Sequence, residues 1–442
     1  MPQIAFVGSG STSFTQFLVQ DILSFESLRD SRLTFMDVDK QKLDETKILV
    51  TAFLKSKGLG QRPLYTTNLK RALEGADFVI NLVKIGFSGG AVADMEIPKK
   101  YGILQTIGDT CGVGGIFRGL RSMPFCIQLC QEVEALSNSH AVILNYTNPQ
   151  SMLVMAVAAT SKVPFIGLCH SVQNTTRAIA AYLGIPYDQL LYEAAGINHL
   201  SWITKLEHKN RDMYPRLRRL VKKRGLYFDE QANAPDMDVV PLGPVRLDLF
   251  HRMGCMMTES SWHNAEYVPY YLRTRGLIKK YRLPIDRYYD NIVRKAKETR
   301  KLIAQAKKGK LPPYQRSIEY GSRIIHAMVT NEPCRIYANV PNRGLISNLP
   351  EFRAVEVVSM VDRNGVQPCH YGALPTHLAT LCQMNISVYQ MAVEAILQKN
   401  RQRVYQALMM DPVTHSMLTL DQMEDLADEL IAKHKKHLNR YL

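Results

Sequence analysis

The first half of the chain alternates short apolar runs with longer stretches in which apolar residues recur at helical spacing. The apolar runs predict strands at residues 3–7, 33–36, 78–83, 141–144 and 165–168. Helical spacing lies between them, at residues 13–23, 69–74, 125–136 and 151–160. Strands that alternate with helices predict a parallel, doubly wound sheet, which binds its ligands at the carboxyl ends of the strands.

This pattern predicts an α/β protein of two domains. Residues 1–190 are expected to form a Rossmann-like, doubly wound nucleotide-binding domain. Residues 191–442 are expected to form a mixed α/β domain for catalysis, substrate binding and oligomerisation, completed by C-terminal helices at 388–396 and 420–431. A substrate cleft should lie between the two domains.

The first strand runs directly into a glycine turn that suits a dinucleotide. Gly8 and Gly10 leave space for a pyrophosphate, and Ser11 opens the helix that would face it. Asp37 follows the second strand, where a carboxylate accepts hydrogen bonds from an adenosine ribose and so favours NAD over NADP. The alternative is that Asp37 and Asp39 only cap the next helix.

Other candidate residues follow the later strands and a glycine-rich segment. Asn148 and Cys169 follow two strands, and His199 lies 30 residues beyond Cys169. A thiolate and an imidazole can hold a divalent transition metal with positions left open for substrate oxygens. On residue types alone, a buried apolar thiol for Cys169 and a satisfied loop histidine for His199 are the favoured interpretations.

The formal net charge of +15 raises the question of a nucleic-acid partner. The excess lies mainly in residues 205–224 and 273–310, where basic and apolar residues alternate as in amphipathic helices with a solvated face. Neither a nucleic-acid nor a membrane partner is therefore expected. The chain shows no secretory signal pattern, and its eight scattered cysteines suit reduced thiols, so a cytoplasmic location is predicted.

Several motifs occur together and in order. They comprise residues 8–11, 108–110 with 114–116, 145–149, 167–172 and 196–199. Their combination resembles a family 4 glycoside hydrolase, and the likeness extends over essentially the whole chain through 258–261, 266–267, 348–350 and 355–357. The tetrad that starts at Cys169 and continues through Ser171 is similar to that of the α-galactosidase (melibiase) subgroup. α-Glucuronidases and α-galacturonidases usually carry Glu where Ser171 stands.

The resemblance implies hydrolysis of small-molecule α-galactosides with NAD and Mn²⁺, or another divalent transition metal, as cofactors. In this family the sugar is transiently oxidised at C3 and deprotonated at C2, the aglycone is eliminated, and water is added. Alternatives are an α-glucuronidase, α-galacturonidase or α-glucosidase of the same family. A lactate- or malate-type NAD-dependent dehydrogenase and a sensor without catalysis are further alternatives.

The resemblance also implies roles for individual residues. Cys169 and His199 would hold the metal. Asn148 would bind a sugar hydroxyl, and Asp109 with Arg118 or Arg121 would line the sugar or order the metal shell.

Two assignments concern proton transfer, and one concerns assembly. His170 would act on the departing oxygen, or else orient Cys169. Tyr267 is the preferred C2 base among His263, Tyr267, Tyr270 and Tyr271. A homodimer or homotetramer is expected from the family and from the general prevalence of symmetric assemblies.

Overall fold

The computed structural model describes residues 1–226 and 242–442. Its strands are β1 (Gln3–Val7), β2 (Arg32–Met36), β3 (Leu64–Thr66), β4 (Phe78–Asn81), β5 (Val142–Asn145), β6 (Phe165–Leu168), β7 (Leu191–Ile197), β8 (Leu200–His208), β9 (Arg211–Asp212), β10 (Met256–Met257), β11 (Cys334–Pro341), β12 (Ala354–Asp362) and β13 (Gly365–Pro368). These strands form one sheet in the order β10-β8-β7-β12-β11-β6-β5-β4-β1-β2-β3, with β13 beside β12 and β9 beside β8.

Helices cover the sheet and complete the C-terminal part. They are α1 (Thr12–Leu23), α2 (Lys40–Ser56), α3 (Leu69–Leu73), α4 (Phe87–Lys100), α5 (Gly112–Leu136), α6 (Gln150–Ala158), α7 (Ser171–Leu183), α8 (Tyr214–Arg224), α9 (Pro244–Met253), α10 (Ser261–Glu266), α11 (Arg275–Lys280), α12 (Arg287–Lys307), α13 (Gly321–Thr330), α14 (Thr376–Leu397), α15 (Gln402–Met410), α16 (Pro412–His415), α17 (Leu420–Lys433) and α18 (Lys435–Leu438). None of the helices in the described ranges is long and apolar enough to cross a membrane.

The parallel half of the sheet runs β3-β2-β1-β4-β5-β6. Helices lie on both of its faces, so its central strands are buried throughout; Phe6 on β1 and Ile80 on β4 are fully buried. Burial on both faces explains why these strands read as continuous apolar runs rather than as alternating patterns. The Rossmann-like, doubly wound fold class is confirmed.

The sheet does not stop at the predicted domain boundary near residue 190. β11 pairs antiparallel with β6 and continues the sheet through β12, β7 and β8. The turn between β7 and β8 is thereby brought to the edge at which β6 ends. Residues from the two halves of the chain therefore meet at one rim of a single sheet.

The glycine-rich segment at residues 108–121 is helical over most of its length. The helix predicted at 125–136 is α5, which already begins at Gly112 and includes Gly114 and Gly115. A Cβ atom at Gly114 would lie 2.3 Å from the carbonyl oxygen of Gly108, and one at Gly115 would lie 2.4 Å from Thr110. Glycines therefore let the first turn of α5 pack against the backbone of residues 108–110.

The two basic stretches differ from each other. The stretch at residues 205–224 begins in β8 and β9 and becomes helical only at α8. The stretch at residues 273–310 contains α12, in which only Ala306 is buried. α12 lies across α1 and α2.

Candidate active site

Cys169 and His199 come together at the rim shared by the two halves of the sheet. Cys169 follows β6, and His199 occupies the tight turn between β7 and β8 with a φ of 63°. The Cys169 Sγ lies 3.2 Å from Nε2 of His199. The predicted pair is thus adjacent, although 30 residues separate the two along the chain.

Burial sets the protonation of both groups. Burial raises the pKa of the Cys169 thiol well above its usual range, and the nearby Glu259 and Glu356 add to this effect. Burial and the neighbouring His263 lower the pKa of His199 to about 4, so its imidazole is neutral at physiological pH. A neutral imidazole is the form that binds a metal, and a metal would take the place of the thiol proton.

The surroundings suit a bound ion. Nδ1 of His199 and Nδ1 of His263 are buried without a hydrogen-bond partner, and their ring centroids are 4.5 Å apart. Buried polar atoms without partners are rare in folded proteins and often mark a ligand or ion site. The described part of the chain offers no cluster of three or more His, Cys, Asp or Glu side chains for a metal. Two protein ligands would leave coordination positions open for other ligands.

His170, the residue after Cys169, is paired with a carboxylate. Its Nδ1 lies 2.7 Å from Oε1 of Glu319. Burial alone would lower the pKa of His170, but the charge and hydrogen bond of Glu319 outweigh it and raise the pKa to about 9. Because Nδ1 is occupied by Glu319, Nε2 is the nitrogen that remains for a substrate.

Asp109 and Arg118 form an ion pair near His199. Arg118 Nη1 lies 3.2 Å from Asp109 Oδ2 and donates to the Tyr288 hydroxyl at 3.0 Å. Burial alone would raise the pKa of Asp109, but Arg118 and His263 lower it to about 2. Asp109 is therefore an ionised acceptor within a buried, charged site.

Arg121 is placed differently from the prediction that it lines the sugar. Its two terminal nitrogens bind the two carboxylate oxygens of Asp94 on α4, at 2.9 and 2.6 Å. His434 adds a contact of 2.8 Å to Asp94. The side chains of Arg121 and Asp94 are 1% and 3% exposed. Arg121 thus ties α5 to α4 and to the C-terminal segment instead of facing a ligand.

Tyr267 also has a contact that the sequence did not predict. Its hydroxyl donates to the backbone carbonyl of Asn198 at 2.9 Å and is buried. Burial, with Tyr389 and Cys111 nearby, raises its pKa well above the usual value. These features argue against Tyr267 as the base, because the hydroxyl supports the backbone next to His199 and resists losing its proton.

The glycine turn has the shape that a dinucleotide needs. Gly8 has a φ of 82°, and a Cβ atom there would lie 2.7 Å from the Val83 nitrogen. Asp37 accepts the N–H of Gly10 at 2.7 Å, whereas Asp39 caps α2 by accepting the N–H of Lys42. Capping therefore falls to Asp39, and Asp37 shapes the loop. Ser11 precedes α1 without a side-chain capping bond.

Asn148 lies half-buried after β5 and is joined to Pro149 by a cis peptide bond. The neighbouring Gln150 donates to the carbonyls of Asn145 and Leu168, at the ends of β5 and β6. These bonds fix two strand ends beside each other. Cys169 directly follows the end of β6, and Asn148 lies three residues beyond the end of β5, so both are held on the same rim.

Sequence reasoning missed Glu259 and Glu319. Glu259 has a left-handed φ of 70°, and its Oε1 lies 3.7 Å from His263 Nε2. Burial alone would raise its pKa, but His199 and His263 lower it. The segment at 258–261 was noticed only as part of the family resemblance, and no local pattern marks Glu319.

Comparison with known proteins gives matches along almost the whole chain. Residues 3–185 match the family model described as family 4 glycosyl hydrolase, and residues 194–414 match that of its C-terminal domain. An α-galactosidase of Bacillus subtilis (strain 168) is 36% identical over 100% of both chains. An α-galactosidase of Rhizobium meliloti (strain 1021) is 31% identical over 99% of this chain and 89% of its own.

A solved structure supports the same assignment at the level of the fold. A 6-phospho-α-glucosidase from gut microorganisms, in complex with NAD and Mn²⁺, superposes with a TM-score of 0.83. It is 20% identical and covers 99% of this chain and 98% of its own. The full-length family matches replace the dehydrogenase alternative: the chain belongs to the family 4 glycoside hydrolases.

Proposed function

We propose that the protein hydrolyses α-galactosides with NAD⁺ and Mn²⁺, or another divalent transition metal, as cofactors. The observation that carries this proposal is the 3.2 Å approach of Cys169 Sγ to His199 Nε2, at the rim where the dinucleotide turn also ends. The two α-galactosidase relatives support the sugar, and the related structure with NAD and Mn²⁺ supports the cofactors.

Separate groups of residues would hold the dinucleotide and the metal. Gly8, Gly10, Ser11 and Asp37 would hold the dinucleotide, and Cys169 with His199 would hold the metal. When bound, NAD⁺ supplies transient oxidation at C3 of the sugar and the ion stabilises negative charge on the neighbouring oxygens.

Other polar side chains on the rim would contact the sugar. Asp109 is ionised and accepts hydrogen bonds from sugar hydroxyls, while Arg118 holds Asp109 in position. Asn148 would bind a further hydroxyl. These contacts would orient the ring for the reaction.

His170 is the proton donor to the departing oxygen in this proposal. Glu319 accepts from Nδ1 and favours the cation, so Nε2 carries a proton at neutral pH. For the C2 proton, His263 and Tyr267 both border the His199 turn. The Tyr267 hydroxyl already donates to the backbone carbonyl of Asn198, whereas Nδ1 of His263 has no hydrogen-bond partner among the described residues. This difference favours His263 as the base.

We also infer that the protein is a cytoplasmic homodimer or homotetramer. All eight cysteines are free, which suits a reducing compartment. Sedimentation of the purified protein would give the subunit number.

The test is an assay of purified, reduced protein on p-nitrophenyl α-galactoside, with and without added NAD⁺ and Mn²⁺. Hydrolysis that needs both additions and is lost in Cys169→Ser supports the proposal. The α-galacturonide, α-glucuronide and α-glucoside are assayed in parallel, and preferential release from one of them would replace galactose as the sugar. Hydrolysis by protein from which bound NAD⁺ has been removed, with none added back, would overturn the redox mechanism.

A further inference from the structure

A cavity of about 520 Å³ opens where α12 crosses the beginning of α1 and α2. One wall is the glycine turn and the first turn of α1, at residues 10–13. Lys42 on α2 and Lys295, Thr299 and Arg300 on α12 form the other walls. The cavity thus combines the nucleotide-binding half of the chain with a helix from the second half.

The charges around this cavity favour an anion. Lys42 is paired with Glu45 at 2.7 Å, so their charges offset each other. Lys295 and Arg300 are exposed and have no hydrogen-bond or ion-pair partner in the described part of the chain. Two positive charges therefore face the same cavity as the N-terminal end of α1, where the helix dipole is positive.

α12 is held close to that end of α1. Thr299 Oγ1 lies 3.5 Å from Ser13 Oγ, in the first turn of α1. α1 has no acidic residue in its first turn, and its N-cap side chain makes no capping bond. Nothing from α1 itself neutralises the positive end, which leaves its first-turn amides for a ligand.

We propose that Lys295 and Arg300 bind the phosphates of the dinucleotide from the side opposite the glycine turn, so that α12 closes the cofactor site. This inference rests on the proposed NAD⁺ dependence. The diphosphate of NAD⁺ carries two negative charges, which match the two unpaired cations of α12. In the proposed reaction each turnover returns the hydride to the sugar, so the same NAD⁺ can be used again without leaving the enzyme. Contacts from α12 would keep NAD⁺ bound by slowing its dissociation.

The experiment measures the affinities for NAD⁺ and for inorganic pyrophosphate by titration calorimetry, and NADH release by stopped-flow fluorescence, all without a glycoside present. We expect Lys295→Gln and Arg300→Gln each to weaken NAD⁺ binding about tenfold, and the double variant about a hundredfold, mainly through faster release. Arg300→Lys should restore most of the affinity. Lys297→Gln is the matched control, because Lys297 is an exposed cation on α12 outside the cavity lining.

Each outcome has one meaning. Wild-type affinity and release rate in the double variant would overturn this inference and leave the proposed function intact. Weakened binding of inorganic pyrophosphate with unchanged NAD⁺ binding would also overturn it, since the cavity would then serve a free anion. A wild-type protein that hydrolyses α-galactosides without binding NAD⁺ would overturn the proposed function and this inference together.

Discussion

Oε1 of Glu319 lies 2.7 Å from Nδ1 of His170, and this contact connects the residue after Cys169 to the helix that follows the glycine turn. Asp21 on α1 accepts the N–H of Ser317 at 3.0 Å and the hydroxyl of Tyr314 at 2.9 Å. The N–H of Glu319 in turn donates to the Ser317 hydroxyl. The orientation of His170 therefore depends on a segment that is anchored to α1.

Glu319→Gln should lower kcat on the α-galactoside by about 10- to 100-fold, because the imidazole loses the carboxylate that orients it and favours its cation. Affinity for Mn²⁺ should stay within about twofold, since the proposed ligands Cys169 and His199 are unchanged. Steady-state kinetics and a metal titration measure the two effects. Glu332→Gln is the matched control, because it breaks an exposed Glu–His contact at His326. A wild-type kcat in Glu319→Gln, or a loss of Mn²⁺ affinity that accounts for the lower kcat, would contradict the positioning role.

Glu266 should prove to be the anchor of the loop that carries Asp109. Its Oε1 accepts the backbone N–H groups of Thr106, Ile107 and Gly108 at 2.8, 2.8 and 2.9 Å. Glu266→Ala leaves three buried donors without an acceptor, which should cost about 3 kcal/mol or more of stability. The KM for the galactoside should also rise, as Asp109 is no longer held.

Glu266→Gln separates the hydrogen bonds from the charge in that experiment. An amide oxygen can still accept from the three N–H groups, so its thermal midpoint and KM should lie close to those of the wild type. Calorimetry and kinetics on the three proteins give the comparison. Equal loss in both variants would mean that the carboxylate charge, rather than loop anchoring, is required.

The local sequence pattern was sufficient to predict a strand where burial on both faces of the sheet makes that strand wholly apolar. β6 has the predicted bounds of 165–168. The local sequence pattern did not predict the structure where a residue's conformation depends on contacts with distant parts of the chain. Gly114 and Gly115 indicate a turn by composition, yet they are helical because the 108–110 backbone packs against them. Likewise, no local pattern shows that β11 pairs with β6, about 170 residues earlier.

The site, in contrast to the strands, was predictable from the family motifs and not from local pattern. The approach of Cys169 to His199 followed from the family motifs, whereas residue types alone favoured neither ligand. Glu259 escaped notice because its position depends on a left-handed φ, which a sequence does not display. Glu319 lies outside any helix or strand and so has no periodicity to mark it.

Glu356 should make stability depend on pH. It is fully buried on β12, and burial raises its pKa to about 7 despite hydrogen bonds from Ser201 and Asn339. The unfolded carboxyl has a pKa of 4.5. Between those values the folded chain holds a proton that the unfolded chain has released, so the free energy of unfolding falls as pH rises from about 4.5 to about 7.

Glu356→Gln removes this titration. Its thermal midpoint relative to the wild type should therefore be a few degrees higher at pH 8 than at pH 4.5, corresponding to about 3 kcal/mol of linkage. Scanning fluorimetry across that range measures it. Glu351→Gln serves as the control, since Glu351 is exposed. A difference that does not change with pH would show that Glu356 is ionised throughout.

Arg121 and Arg118 lie one turn apart on α5, yet the structure gives them different partners, and this separates stability from sugar binding. Among the described residues, Arg121→Met leaves His434 as the one side chain bound to the buried carboxylate of Asp94. Breaking one side of a buried ion pair costs about 3–5 kcal/mol. Urea unfolding should show that loss, while the KM of the folded protein for the galactoside changes by less than about twofold.

Arg118→Met should impair sugar binding more than stability. Arg118 holds Asp109 at the proposed sugar site, and it pairs with Asp109 through one contact of 3.2 Å, whereas Arg121 makes two shorter contacts with Asp94. The KM should rise about tenfold, with a smaller loss of stability. The double variant Asp94→Asn with Arg121→Met removes both buried charges and should recover part of the stability lost in the single variant. A rise in KM for Arg121→Met without loss of stability would return Arg121 to the sugar and leave the contact with Asp94 incidental.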